Sequence, residues 1–228
     1  MRILSLIGLG GACLLLAAAE PKQNVQVSKT ERVDFPSGGT LRLTHAVGIL
    51  NVEAWDRPDV EITTIKSERV HVAVERRGNE LVITTDFPRE FSIPRPYPLG
   101  GGARFNLEYR IKAPSSARLI ADLKVGEVNV DNLLADVQVT LRQGEIMLHL
   151  PEQAAYDIHA RSDVGSVNSD FAVQQKRRFW LVGVRTARQD PKAPTLNLRV
   201  GYGDIVILKT RLPKPPEPLT AATNADGL

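Results

Sequence analysis

Between Leu119 and Ser169 the chain alternates apolar and polar positions in short runs, and each run hinges on a glycine. The recurring phrase is Val125-Gly126-Glu127-Val128-Asn129-Val130, then Gln143-Gly144-Glu145-Ile146-Met147-Leu148, then Val164-Gly165-Ser166-Val167-Asn168-Ser169. Looser copies lie at Val47-Gly48-Ile49-Leu50-Asn51-Val52 and at Tyr202-Gly203-Asp204-Ile205-Val206-Ile207. The second residue after each glycine is apolar: Leu50, Val128, Ile146, Val167 and Ile205. The fourth is Val52, Val130, Leu148, Ser169 or Ile207, apolar in all but Ser169. The first is polar in every copy but Ile49, and the third is Asn51, Asn129 or Asn168 in three copies. A period of two marks a strand with one buried face. The apolar set is therefore expected inside, and the Glu and Asn columns in water.

A second set of alternating runs precedes or follows these phrases. It comprises Leu119, Ala121 and Leu123; Val137, Val139 and Leu141; Tyr156, Ile158 and Ala160; and Leu196, Leu198 and Val200. Each unit is thus two short strands and two turns in about twenty residues, too small to close a core alone, so units must stack. The spacing predicts an all-β chain built as a β-helix or β-solenoid-like stack, with a β-sandwich as the alternative. In a stack, Val128 should pair in parallel with Ile146, and Ile146 with Val167. Gly48, Gly126, Gly144, Gly165 and Gly203 are expected to be structural turns opening each strand. A phosphate-binding loop would require a helix after the glycine, and no helical period follows any of them.

Elsewhere, Val33 and Phe35 predict a strand turned by Pro36 to Gly39, with Leu41 to Leu43 returning. Val70, Val72 and Val74 face Leu81 and Ile83 across Gly78-Asn79, a hairpin signal. Phe87 to Gly102, with its prolines and glycine triplet, predicts a loop. Arg104 to Lys112 predicts a strand with Phe105, Leu107, Tyr109 and Ile111 on one face. Gln174 to Pro194 is basic and irregular in period.

Length and composition add bounds. The chain has 228 residues and 5% aromatics, a balance suited to thin strand layers. Its 29 basic and 26 acidic residues leave a net charge of +3, which gives no nucleic-acid footprint. At the N-terminus Arg2 precedes an apolar run, and Ala17-Ala18-Ala19 supplies a small-residue cleavage pattern before Glu20. Residues 1–19 therefore predict a signal peptide and an exported protein in the periplasm, at the cell surface or secreted. Lipidation at Cys13 is the competing reading. Residues 20–32 predict a flexible segment, 33–211 a single β-repeat domain, and 212–228 a disordered Pro-rich tail.

With Tyr109-Arg110-Ile111-Lys112-Ala113-Pro114 followed by the glycine phrases, the sequence resembles the bacterial putative-adhesin family of exported β-repeat domains. The pattern is carried by Gly126-Glu127-Val128, Gly144-Glu145-Ile146 and Gly203-Asp204-Ile205, with Gly48 to Asp56 resembling the family's opening. The resemblance spans roughly Val33 to Lys209 and implies a stack of short strands outside the cytoplasm. It brings no catalytic residues and no cofactor.

The residues themselves offer little chemistry. His45, His71, His149 and His159 lack the spacing of a helical metal pair, and cleavage after Ala19 would remove Cys13. Asp122, Glu127, Asp131 and Asp136 lack the calcium β-roll repeat. Neither cofactor nor metal is expected. Glu127 and Glu145, stacked on adjacent strands, are the one arrangement that could serve a carbohydrate-active enzyme. The expected role is instead a non-enzymatic envelope protein that adheres or scaffolds. Its candidate contact surface is Lys176, Arg177, Arg178, Phe179, Trp180, Arg185 and Arg188, where cations crowd around aromatics. The partners expected are an anionic envelope polymer, a membrane surface or another envelope protein.

Overall fold

The computed structural model describes residues 26–87, 107–179, 182–188, 190 and 192–211. Among them it shows fourteen strands and no helix. The strands are β1 (Gln26–Asp34), β2 (Thr40–Trp55), β3 (Asp59–Ser67), β4 (His71–Arg77) and β5 (Glu80–Asp86). They continue with β6 (Leu107–Pro114), β7 (Arg118–Asp131), β8 (Val137–Pro151), β9 (Asp157–Val164) and β10 (Val167–Ser169). The last four are β11 (Gln174–Phe179), β12 (Val182–Arg188), β13 (Thr195–Tyr202) and β14 (Ile205–Thr210).

Three strands, β2, β7 and β8, run straight through the glycine phrase and belong to two layers at once. Their first halves join a layer ordered β4-β5-β2-β7-β8-β13-β9-β12-β11. Their second halves join a layer ordered β1-β3-β6-β2-β7-β8-β14-β10. The inward residues of both layers form one core. Leu119, Ala121, Leu123, Val137, Val139 and Leu141 come from the first layer, and Leu50, Val128, Val130, Ile146, Leu148 and Ile207 from the second; each is at most 2% exposed. Burial of this apolar set is the main stabilising term. The two layers on a shared core are compatible with the β-sandwich alternative.

The parallel register expected between phrases holds for Val128 and Ile146. The pairing expected between Ile146 and Val167 does not form. Ile205 of β14 pairs with both Ile146 and Val167, and β13 likewise lies between β8 and β9. The last unit in sequence is thus wedged in space between two earlier units, so a coil-after-coil solenoid is not shown. The phrase copies are chemically interchangeable, so pattern alone cannot order them.

Two other expectations change and one holds. Strand β1 begins at Gln26, inside the segment 20–32 expected to be flexible, and it pairs with β3 rather than returning into β2. The predicted β4–β5 hairpin forms, with Arg77 opposite Glu80 and Gly78 at φ 61°, a two-residue turn whose first position demands glycine. The Gln174 to Pro194 stretch is a hairpin over much of its length, β11 on β12, not an irregular loop. The loop predicted at Phe87 to Gly102 lies outside the described residues beyond Phe87, as do residues 1–25 and 212–228.

Candidate functional site

The glycines do not open strands in β2, β7 and β8; they are corners within them. Gly48, Gly126, Gly144, Gly203 and Gly165 form a column from strand to strand, with φ between 120° and 153°. A Cβ on Gly126 would fall 1.8 Å from the carbonyl oxygen of Gly48, and one on Gly144 would fall 1.7 Å from that of Gly126. Backbone approaches backbone too closely for any side chain, and the positive φ bends each strand from one layer to the other. The buried Ser162 hydroxyl donates to the Gly203 carbonyl at 2.8 Å, securing the corner near the end of the column.

The corner column sets the outer ranks, meaning lines of register-paired residues across neighbouring strands. On the second layer Asn129 donates to Asn51 at 2.9 Å and Asn51 to Glu108 at 3.1 Å, so two members of the predicted Asn column are hydrogen-bonded, while Asn168 lies beyond Met147 and Val206 in the same rank and donates to Ser166. Glu127 and Glu145 are exposed register partners beside it. They stand on an open outer face. A depression of about 420 Å³ lined by Leu134, Tyr156, Lys192 and Pro194 contains neither, nor does one of about 360 Å³ lined by Glu80, Arg118 and Asp136. Among the described residues no group of three or more His, Cys, Asp or Glu is placed to hold a metal ion.

On the first layer one rank is strongly one-sided. It runs Asp122, Thr140, Arg199, Arg161, Arg185, Lys176, on β7, β8, β13, β9, β12 and β11. Four cations therefore follow one another at successive strand spacings of about 4.8 Å. Arg161 and Arg199 are exposed, and both reach Asp163, at 2.6 Å and 3.3 Å. Burial pushes the Asp163 carboxyl up, but the hydrogen bonds and charges of the two arginines outweigh it and hold it below the usual carboxylate range. One carboxylate thus fixes two guanidinium groups and leaves the rank with an excess of positive charge.

This rank divides the surface expected from sequence. Lys176 and Arg185 belong to it, and Arg178 lies two residues from Lys176 on β11. Arg177 falls in the rank of Val184 and the buried Ser162, and Arg188 in that of the buried Ile158. Phe179 pairs with Val182, in step with Arg177. Trp180 lies outside the described residues. Arg161 and Arg199 were missed because each sits alone in a run read for its apolar neighbours. The signal was parity: both occupy the polar position of an alternating strand, which only the register brings into line.

No family model matches the chain, and no curated protein matches it. Among solved structures the chain is similar to a putative cell adhesion protein from Clostridium sporogenes, at 20% identity and a TM-score of 0.48, over 82% of this chain and 100% of that one. It is also similar to a putative adhesin from Bacteroides fragilis, at 10% identity and a TM-score of 0.31, covering 81% and 99% of the two chains. A putative adhesin from Parabacteroides distasonis matches at 13% identity and a TM-score of 0.28, covering 81% and 71%. Two of these neighbours bear the same description as the family the sequence resembles, and the other is described as a cell adhesion protein.

Proposed function

We propose that this chain is an exported, non-catalytic contact module of the cell envelope, adhesin-like in role, that holds an anionic polymer against its first layer. The observation that supports this is the rank Arg199, Arg161, Arg185 and Lys176, a register-paired line of cationic residues at the strand repeat. An extended polymer with regularly spaced negative groups can engage such a line at several points, and each contact adds to retention through charge attraction. The leader pattern at residues 1–19 supports export.

Retention on an immobilised polyanion tests the reading. The parent should elute at higher salt than a variant carrying Arg161→Gln, Arg185→Gln and Lys176→Gln, because exposed charge pairs are screened over about 8–10 Å at physiological ionic strength. Matching thermal melts would show that the variant is folded. Co-elution of the two proteins would reject the reading. The register pairing of Glu127 with Glu145 favours one other reading, a carbohydrate-active enzyme. Sugar release from an envelope polysaccharide, abolished by Glu127→Gln or Glu145→Gln, would replace binding with that reading.

A further inference from the structure

Strand β1 is an edge of the second layer. It pairs with β3 on one side, and among the described residues no strand pairs with its other side. Its residues, Gln26–Asp34, therefore hold out a row of backbone donors and acceptors, a template for a further strand. None of its nine residues is buried. Edges of this kind are commonly blunted by charge, and β1 carries Lys29, Glu31, Arg32 and Asp34. The order of those charges suits one partner, a second copy of the same strand. Laid antiparallel with Thr30 opposite Thr30, the copy sets Lys29 against the partner's Glu31 and Val27 against the partner's Val33. Ser28 meets the partner's Arg32, and Gln26 the partner's Asp34. Each of these pairs occurs twice, once on either side of a twofold axis at Thr30.

Alternation keeps each pair on one face. Lys29, Glu31 and Val33 share the parity whose β3 partners are the buried Thr64, Ile62 and Val60, and Val27 belongs with them. Ser28, Thr30, Arg32 and Asp34 share the other face. Lys29 and Glu31 already form an ion pair within the strand, and a second copy would complete a ring of two cations and two anions between the valine pairs. On the opposite face Thr30 and Thr63 share a hydroxyl hydrogen bond of 2.9 Å. The axis would bring two such threonine pairs together, and cross-strand threonines are favourable neighbours. A slip of two residues keeps the faces but sets Lys29 against Lys29 or Glu31 against Glu31, and like charges directly opposite are destabilising. Strand β4, an edge of the first layer, has no such order: about its central Val74 it would set Val72 against Arg76 and Ala73 against Glu75.

We infer that β1 is a self-association edge: two copies of this chain join β1 to β1, antiparallel about a twofold axis at Thr30, and their second layers become one sheet. A contact of this kind uses the same patch on both copies and closes as a dimer. The paired strands supply roughly eight to ten backbone hydrogen bonds, and the charge order fixes the register. The inference goes beyond the polymer-binding reading and does not depend on the basic rank, which lies on the first layer. Sedimentation of the full chain carrying Cys13→Ser tests it. The parent should be a dimer that dissociates on dilution. Lys29→Glu should weaken that dimer about tenfold or more, because carboxylates would face one another at both positions, and Glu31→Lys should do the same with cations. The double variant Lys29→Glu, Glu31→Lys should recover the dimer, which a merely damaged strand would not do. In the same background Thr30→Cys should give a disulfide-linked dimer on mild oxidation. Ser28→Cys should not, since the two Ser28 positions would stand four residues apart along the strands, about 13 Å. A parent that is monomeric at every concentration would overturn the inference, and exchange-resistant amides in β1 of that monomer would show that another segment of this chain covers the edge. A dimer left intact by the single reversals, or not restored by the double variant, would overturn it as well.

Discussion

Single residues carry the bend that makes two layers from one strand. Gly144 is the sharpest case, because a Cβ there would sit 1.7 Å from the Gly126 carbonyl oxygen at a φ of 135°. Gly144→Ala should therefore cost on the order of 3 kcal/mol or more, since the neighbouring backbone has to move. Gly78→Ala is the control: its φ is 61°, but nothing lies within 4 Å of the added carbon, so only the backbone preference is lost, about 1 kcal/mol. Denaturant midpoints of the two variants should separate clearly, and equal midpoints would show that the corner tolerates a side chain. Tyr109 makes a different residue-scale prediction. Burial pushes its hydroxyl up to about 12, against a smaller opposing effect of the Thr85 hydrogen bond. The unfolded tyrosine releases its proton near pH 10, so between about pH 10 and 12 the folded state holds more protons than the unfolded one. Stability must fall as pH rises through that window, by about 2 kcal/mol from this group at the upper end. Urea unfolding across the window should show the decline, and Tyr109→Phe should flatten part of it.

Elements differ in what supports them. Strands β7 and β8 are flanked on both sides in both layers. The hairpin β11–β12 extends the first layer beyond β10, where the described part of the second layer ends. One side chain bridges that step: Gln175 donates to the Val167 carbonyl at 3.0 Å. Amide exchange should therefore be faster in β12 than in β7, and Gln175→Ala should speed it further in β11 and β12 alone. Uniform exchange across all four strands would contradict this. The same contrast explains which parts were legible in the sequence. Runs with a strict period of two and a buried partner layer, such as Val137 to Leu141, declare themselves because each apolar position answers to the core. The hairpin at Gln174 to Arg188 has little opposing layer to enforce that alternation, so it reads as irregular. The site was half legible for a related reason: the cations of the hairpin are adjacent in sequence, whereas Arg161 and Arg199 become their neighbours only through pairing.

At the scale of the molecule, the position of β13 and β14 is the least expected feature and the most direct to verify. In a Cys13→Ser background, cysteines at Asn168 and Val206 should join on mild oxidation, because these residues are register partners. Cysteines at Asn168 and Met147 should not, since Val206 stands between them and two strand spacings, about 9.6 Å, exceed the reach of a disulfide. The reverse result would establish stacking in chain order. The wedge also sets a problem in time. During synthesis β8, β9 and β10 emerge before the strands that must separate them, and their exposed edges are free to zip together in the wrong partnership. The native arrangement then requires either that this gap stay open or that the early pairing dissolve. Refolding should consequently show a slow phase that disappears when residues 195–211 are supplied ahead of β9 by circular permutation, with the unfolding rate left to report the native state alone.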